Sequence, residues 1–530
     1  MTQQACVISN LSLSFPTQSI FQNISFSLFA HQTSAMIGRN GQGKSLLMHL
    51  LHESRPDISA YTGQIHWQIP HAYLSQLNHL EISNETTIAQ VLKIEHLYQA
   101  FQHVEQGSVN FDDYDLLENK WHLPALWETQ LKDANLPTQL DFKVKYLSEG
   151  QKTKLALCHL FLQTDHYLLL DEPSNHLDLE SRQWLIQKID QHASGVFIIS
   201  HDQVLLRQVD HIYALSQLGL QHVCGNYEDY KELSMLKTHA LAQRIDQQKR
   251  ELKAIHTQQN AQLLKMQKKS GQAKKLRQSG SQPKMVLNAK KSQAEQSLAS
   301  IQKQQVRQSC QIQTELSKQQ NEYEIIKPQQ FYFKQNAMLT GEMLRINHLR
   351  LPYGTAKPVH LALQADYKIH LKGHNGAGKS TLLKLIQKAQ SHDVATIFLK
   401  AQLTYLEQNL NILDANLSAV ENLMKFNDSI SATGWRNLLG QLRIRGDLST
   451  LAVKHLSGGE KLKVILLGIS HAKTTIHLLL LDEPENHLDI ESKDLLANAI
   501  QNFNGAVILV SHDLEFVKNC GIKNSYSLTE

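Results

Sequence analysis

Two segments of this 530-residue chain carry glycines, a lysine and a hydroxyl at one shared spacing. They are Gly38-Arg39-Asn40-Gly41-Gln42-Gly43-Lys44-Ser45 and Gly373-His374-Asn375-Gly376-Ala377-Gly378-Lys379-Ser380. The first follows Ala35-Met36-Ile37 and the second Ile369-His370-Leu371-Lys372, so each reads as strand, P-loop, helix. Glycines let the backbone curl around phosphates with its N–H groups pointing inward, where a Cβ would obstruct the approach. The N-terminus of the following helix adds a favourable dipole for the same anions. Lys44 and Lys379 are placed to reach the β- and γ-phosphates, while Ser45 and Ser380 offer a hydroxyl to Mg²⁺. Gly38, Asn40, Gly41 and Gly43 are the candidate cradle in the first motif, and Gly373, Asn375, Gly376 and Gly378 in the second. One such match is a modest signal; two, each followed in the same order by the same further motifs, make a strong one.

The apolar runs Tyr167-Leu168-Leu169-Leu170 and Leu478-Leu479-Leu480-Leu481 end in Asp171-Glu172 and Asp482-Glu483. Buried strands of this kind belong to a parallel sheet, whose C-terminal edge is where ligands bind. Asp171 and Asp482 are the expected metal-holding carboxylates, and Glu172 and Glu483 the expected general bases that orient the attacking water. Val196-Phe197-Ile198-Ile199 and Val507-Ile508-Leu509-Val510 lead into Ser200-His201-Asp202 and Ser511-His512-Asp513. A single strand-end histidine is usually structural, but the repeated placement points to a γ-phosphate contact. Gln76, after Tyr73-Leu74-Ser75, and Gln408, after Tyr405-Leu406-Glu407, would complete the metal and water shell.

Leu147-Ser148-Glu149-Gly150-Gln151 and Leu456-Ser457-Gly458-Gly459-Glu460 resemble the ABC signature, and Asp171 to Asp178 with Asp482 to Asp489 resemble the DEPTNHLD hallmark of the ABC-F family. The similarity covers nearly the whole chain, including Gly225-Asn226-Tyr227 and Tyr230, where the family's linker begins. The resemblance implies a ribosome-associated ATPase without transmembrane domains, using two ATP and Mg²⁺. It also implies head-to-tail cassettes, so that Ser457 and Gly459 complete the site of Lys44, and Ser148 and Gly150 that of Lys379. Phe15 and Tyr353 match the family's adenine-stacking aromatics, though either could equally be an ordinary strand aromatic. Glu149 departs from the pattern, since the second signature has Gly458 there; a carboxylate near a triphosphate is unfavourable unless it points away.

The elements that must position these groups follow from the repeat. Gly373 lies 335 residues after Gly38 and Gln408 332 after Gln76, whereas Ser457 lies 309 after Ser148 and Asp482 311 after Asp171. The first cassette therefore holds about 21 to 26 extra residues between Gln76 and Ser148, expected as an enlarged helical subdomain. The length exceeds what one core supports. The expected fold is α/β: two P-loop ABC-type nucleotide-binding domains, residues 1–230 and 338–530, joined by a long antiparallel helical hairpin linker at 231–337. Five cysteines, Cys6, Cys158, Cys224, Cys310 and Cys520, show neither disulfide nor metal-ligand spacing along the sequence. With no apolar run near the length of a membrane span and no secretory pattern, the expectation is a cytoplasmic protein with no membrane partner, a monomer with intramolecular cassette pairing.

The net charge of +4 hides an uneven distribution. Residues 241–320 hold 16 Lys and Arg against 4 Asp and Glu, a net of +12, and no acid occurs between Glu251 and Glu295. This is a polyanion-binding signature. Leu241, Ile245, Leu252, Ile255 and Met266 fall on an approximate a/d seam, and Ala294, Leu298, Ile301 and Ile312 on a sparser one. Gly271, Ser279-Gly280-Ser281 and Pro283 are expected to interrupt the helix between them. The picture is a hairpin of roughly 60 Å whose basic tip carries Lys274, Lys275, Arg277 and Lys284 as candidate RNA contacts. By the resemblance, that tip approaches P-site tRNA and rRNA while the protein binds near the ribosome's tRNA exit site, either to protect the ribosome from an antibiotic or to relieve stalled translation. An ATPase subunit serving a membrane permease is the different-class alternative, for which a fused pair of cassettes with a basic hairpin is awkward.

Overall fold

A computed structural model describes residues 3–15, 18–53, 61–75, 85–175, 177–278, 284–333, 340–374, 376–390, 396–407, 412–486 and 488–528, and of these the side chains other than 18, 263, 266, 267 and 269–302. Gln76, Asn375 and Gln408 lie outside them. The chain divides into two compact units, one made of residues 1–227 with 329–530 and the other of 228–328.

The first unit holds both cassettes. The first is built on a six-stranded sheet in the order His71–Leu74, Tyr167–Asp171, Val196–Ile199, Thr33–Ile37, His211–Ser216, Gly219–Cys224. All neighbours are parallel except the last two, which form an antiparallel hairpin. The second cassette repeats the five parallel strands as Leu403–Leu406, Leu478–Asp482, Ala506–Val510, Lys368–Lys372 and Asn524–Ser527. Strand residues alternate between two cores, as a period of two requires. Tyr167, Leu169, Phe197 and Ile199 pack with the P-loop helix Lys44–Glu53 and an antiparallel sheet, whereas Leu168, Leu170 and Ile198 pack with the helical subdomain. Because both faces are covered, the central strands Tyr167–Asp171, Val196–Ile199, Leu478–Asp482 and Ala506–Val510 carry no charged residue before their C-terminal ends.

The extra residues of the first cassette form helices. Ile88–Val91, Glu95–Glu105, Phe111–Leu117 and Leu123–Asp133 precede the signature there, against Ala419–Phe426 and Ala432–Gln441 in the second cassette. Phe101 lies edge-on to Trp121 and Trp127 and ties the additional helices to the subdomain core.

The second unit consists of helices Tyr227–Gln278 and Lys284–Ile326, of 52 and 43 residues. Leu241, Ile245 and Leu252 of one pack with Leu316, Tyr323 and Ile326 of the other, so the pair runs antiparallel. Two expectations are corrected. Gly271 does not interrupt the first helix, which continues to Gln278, since one glycine costs only about 1 kcal/mol in a helix this long. The linker also ends before residue 337, because Phe331 is buried in the second cassette's core and Phe333 packs edge-on against Phe503. Ala294, Leu298 and Ile301 of the second seam have side chains outside the described residues; beyond them half-buried Gln305, Ser309, Ile312, Gln319, Tyr323 and Ile326 and buried Leu316 keep a strict three-four spacing. The first helix does the same with Thr238, Leu241, Ile245, Gln248, Leu252, Ile255, Gln259 and Gln262.

Candidate functional site

The P-loops need glycine for two separate reasons. Gly43 and Gly378 have φ of +85° and +97°, and an added Cβ would lie 2.3 Å from Ile20 Cγ2 and 2.7 Å from the Tyr353 carbonyl oxygen. Both the left-handed backbone and the close approach exclude a side chain. The Lys44 ammonium donates to the carbonyls of Gly38 at 2.7 Å and Arg39 at 3.0 Å, and Lys379 to those of Gly373 at 2.8 Å and His374 at 3.2 Å. Burial lowers the pKa of both ammonium groups, which favours an anionic ligand beside them. Phe15 ends its strand 41 % exposed, and Tyr353, adjoining Gly378, is 80 % exposed.

Strand register brings the acids to the P-loops. Asp171 stands opposite Ile199, which also pairs with Met36 just before Gly38; Asp482 stands opposite Val510. The Ser45 hydroxyl hydrogen-bonds Asp171 and the Ser380 hydroxyl Asp482, and burial raises the pKa of both carboxyls. Asp171 is 3 % exposed, yet its Oδ1 has no hydrogen-bond partner. A buried, unpartnered carboxylate oxygen next to a hydroxyl fits a hard divalent cation bound through oxygen.

Glu172 and Glu483 have φ of +50° and +47°. Left-handed backbone at such residues costs on the order of 1–3 kcal/mol and persists where the surroundings impose it. Here the amide of Glu172 donates to the Ile199 carbonyl and that of Glu483 to the Val510 carbonyl, each at 2.9 Å. The turn brings Glu172 Oε1 to 3.4 Å from His201 Nε2 and Glu483 Oε1 to 3.2 Å from His512 Nε2. The two carboxyls then diverge. Burial pushes Glu172 up to about 7, whereas the hydrogen bond from His512 outweighs burial and holds Glu483 below its ordinary value. Burial also drives His201 well below the usual imidazole range. A carboxyl titrating near neutrality is suited to taking a proton from water.

The first P-loop is closed over by the second cassette. A cavity of about 500 Å³ is lined by Asn40, Gly41, Gly43, Lys44, Ser45, Asp171, Glu172 and His201 on one side and by Glu485, Asn486, Leu488 and Lys493 on the other. The Asn40 amide donates to Asp489 Oδ2 at 2.8 Å, and Arg39 forms a forked pair with Glu491, which Arg443 also contacts at 3.2 Å. Lys493 donates to the His201 carbonyl at 3.4 Å, and Arg207 pairs with Glu515. Asp489 is buried in this contact, while Asp178, its counterpart, is exposed. The two sites are thus unequal. Glu149 is not the source, since its carboxylate faces solvent 3.9 Å from Lys152.

The signature serines begin helices. Ser148 accepts the amide of Gln151 at the start of Glu149–Phe161, Gly150 included, and Ser457 accepts that of Glu460 at the start of Gly458–Ser470. At Gly459 an added Cβ would sit 2.2 Å from Ser492 Oγ, so a larger residue there requires the Ser492 side chain to move. The cavity lining takes residues 485–493 from the second cassette and not Ser457 or Gly459. The basic residues Lys274, Lys275 and Arg277 lie near the end of one connector helix and Lys284 begins the next; their side chains are outside the described residues.

The family described as "ABC transporter" matches residues 21–175 and 356–486. The chain belongs to the ATP-binding cassette family. Its place is among the ABC-F proteins, and it is an ATPase. It is 26 % identical to ribosome protection protein VmlR of Bacillus subtilis, covering 97 % of this chain and 85 % of the relative. It is also 26 % identical to ATP-binding cassette sub-family F member 2 of Mus musculus, covering 96 % and 78 %. In fold, this ABC-F protein is similar to the RNase-L inhibitor, with a TM-score of 0.54, 16 % identity, and 96 % and 86 % coverage. Among the described residues no helix is long and apolar enough to cross a membrane. What motif reading of the ABC-F chain overlooked is Arg39, Glu485, Asp489, Glu491 and Lys493, whose roles arise only when two cassettes meet. The one local hint was Asp489 three residues before Ser492, an N-cap spacing.

Proposed function

We propose that this ABC-F ATPase binds the ribosome near the tRNA exit site with ATP between its cassettes, presents the connector's basic turn to P-site tRNA and rRNA, and leaves after hydrolysis. Lys44 and Lys379 neutralise the β- and γ-phosphates, with the P-loop amides supplying further donors. Glu172 and Glu483 accept the proton of the attacking water, and His201 and His512 donate to the γ-phosphate. Ser45, Asp171 and Gln76 would hold Mg²⁺ in one site, and Ser380, Asp482 and Gln408 in the other. The metal supplies neutralisation of the phosphate charge. Phe15 and Tyr353 stack on adenine, and the signature serines and glycines close the facing sites once ATP draws the cassettes together.

The observation that carries this reading is that the two cassettes contact each other and the connector sequence between residues 241 and 320 carries a net charge of +12. A charge of that density suits phosphate neutralisation. The likeness to a relative named for ribosome protection supports protection as the role; stall relief is the second reading. Co-sedimentation of the Glu172→Gln, Glu483→Gln protein with ribosomes and ATP tests the partner. Retention in the ribosome pellet is expected, and recovery in the free fraction refutes it. Drug susceptibility with and without the gene separates protection from stall relief.

A further inference from the structure

The first cassette's sheet ends in a hairpin that the second cassette lacks within its described sheet, strands His211–Ser216 and Gly219–Cys224. In its register His211 faces Cys224 and Tyr213 faces His222. Antiparallel pairing places directly opposed residues on the same face, so both imidazoles and the thiol share one side. One ligand atom each of His211, His222 and Cys224 lies within 4.8 Å of the other two. We propose that His211, His222 and Cys224 form a binding site for a transition-metal dication of the zinc class.

Three observations go beyond proximity. His211 Nε2 lies 3.0 Å from Gln32 Oε1, an acceptor; the tautomer protonated on Nε2 satisfies this contact and turns the Nδ1 lone pair inward. An outer hydrogen bond of this kind orients metal-bound histidines. Second, the His222 ring stacks on Tyr213 at 4.6 Å and 13°, which fixes its plane. Third, the inward nitrogens are 3.3 Å apart. A tetrahedral ion with Zn–N bonds of about 2.0–2.1 Å requires an N···N edge of roughly 3.3 Å. Two imidazoles and a thiolate select zinc-class ions over Mg²⁺ or Ca²⁺ and leave a fourth position for water.

Binding converts Cys–SH and M²⁺ into a thiolate–metal bond and releases one proton, with no change of oxidation state. The ion would tie the two strands together three residues before the connector helix begins at Tyr227. Sequence spacing concealed the site because the ligands come from both arms of a hairpin.

Titration of the full-length, reduced, nucleotide-free protein with Co²⁺ tests the site. One equivalent should give a thiolate-to-cobalt absorption band together with intense visible bands of tetrahedral coordination, both erased by Zn²⁺. Cys224→Ser should abolish the thiolate band, whereas Cys310→Ala, at the other exposed thiol, should leave it intact. Gln32→Ala should weaken Co²⁺ binding about 10- to 100-fold without removing the band. Zn²⁺ should raise the unfolding temperature of the wild-type protein and not that of Cys224→Ser, whose metal-free unfolding temperature should match wild type. Absence of the band, its persistence in Cys224→Ser, or an octahedral spectrum overturns the proposal.

Discussion

Replacing Glu485 by Gln should stabilise the nucleotide-free protein at alkaline pH and leave it nearly unchanged in acid. Glu485 occupies the position held by Ser174 in the first cassette. It is 3 % exposed, its Oε1 accepts the Ser511 hydroxyl, and its Oε2 has no hydrogen-bond partner. Burial pushes this carboxyl from 4.5 up to about 7, against the smaller opposing pull of Ser511 and Lys493. The folded state therefore binds the proton more tightly than the unfolded chain. Stability is fully present below about 4.5 and is lost as pH rises through about 7, beyond which no more is lost. At 1.36 kcal/mol per pH unit the loss amounts to about 3 kcal/mol. Glu485→Gln keeps an acceptor for Ser511 but cannot ionise. Differential scanning calorimetry of both proteins across pH 4.5–8.5 isolates the effect, because every other titrating group is common to them. The variant's advantage should grow with pH to several degrees in the second cassette's transition, at roughly 2–4 °C per kcal/mol. A pH-independent difference, or a variant less stable at pH 8.5, would refute the reasoning.

Glu172→Gln with Glu483→Gln should abolish multiple turnover while ATP binding persists, since the lysines and P-loop amides remain; wild-type turnover by phosphate release would count against both as bases. A double-mutant cycle on Arg39→Ala and Glu491→Ala, read as ATP affinity at the first site, should give a coupling of about 1 kcal/mol. The pair is forked, but its side chains are 32 % and 26 % exposed, so solvent screening limits it, and strict additivity would sink the contact. Reversing Lys274, Lys275, Arg277 and Lys284 to Glu should weaken ribosome sedimentation steeply and leave ribosome-free ATPase activity near wild type; undiminished sedimentation would reduce the connector to a linker.

The sequence was most legible where backbone geometry and chemistry are both local. Gly43 and Gly378 announce a phosphate loop because nothing larger fits there, and the leucine runs before Asp171 and Asp482 announce buried strands because both faces are covered. Contacts between the cassettes were illegible: Arg39 and Glu491 are 452 positions apart, and each alone looks like a surface charge. The seam of the connector was only half visible, for a different reason. Glutamine fills many of its inward positions, so hydrophobic periodicity fades where the three-four spacing persists. The left-handed turn at Glu172 and Glu483 gave no signal at all, since glutamate has no preference for it.

Those glutamines give the connector a mechanical character. Leucine knobs must leave their holes before two helices can slide, but an amide can exchange one partner for the next after a small axial step. Gln248, Gln305 and Gln319 each bury a side-chain oxygen with no hydrogen-bond partner, a loss of about 1–3 kcal/mol apiece that a shifted register could recover. Among the described residues of the connector, Leu241, Ile245 and Leu316 form the buried apolar clasp. Among the described residues the helix pair is thus held by an apolar clasp near Leu241 and Leu316 and by polar amides further along, a seam whose spacing is helical but whose chemistry is not that of a leucine zipper.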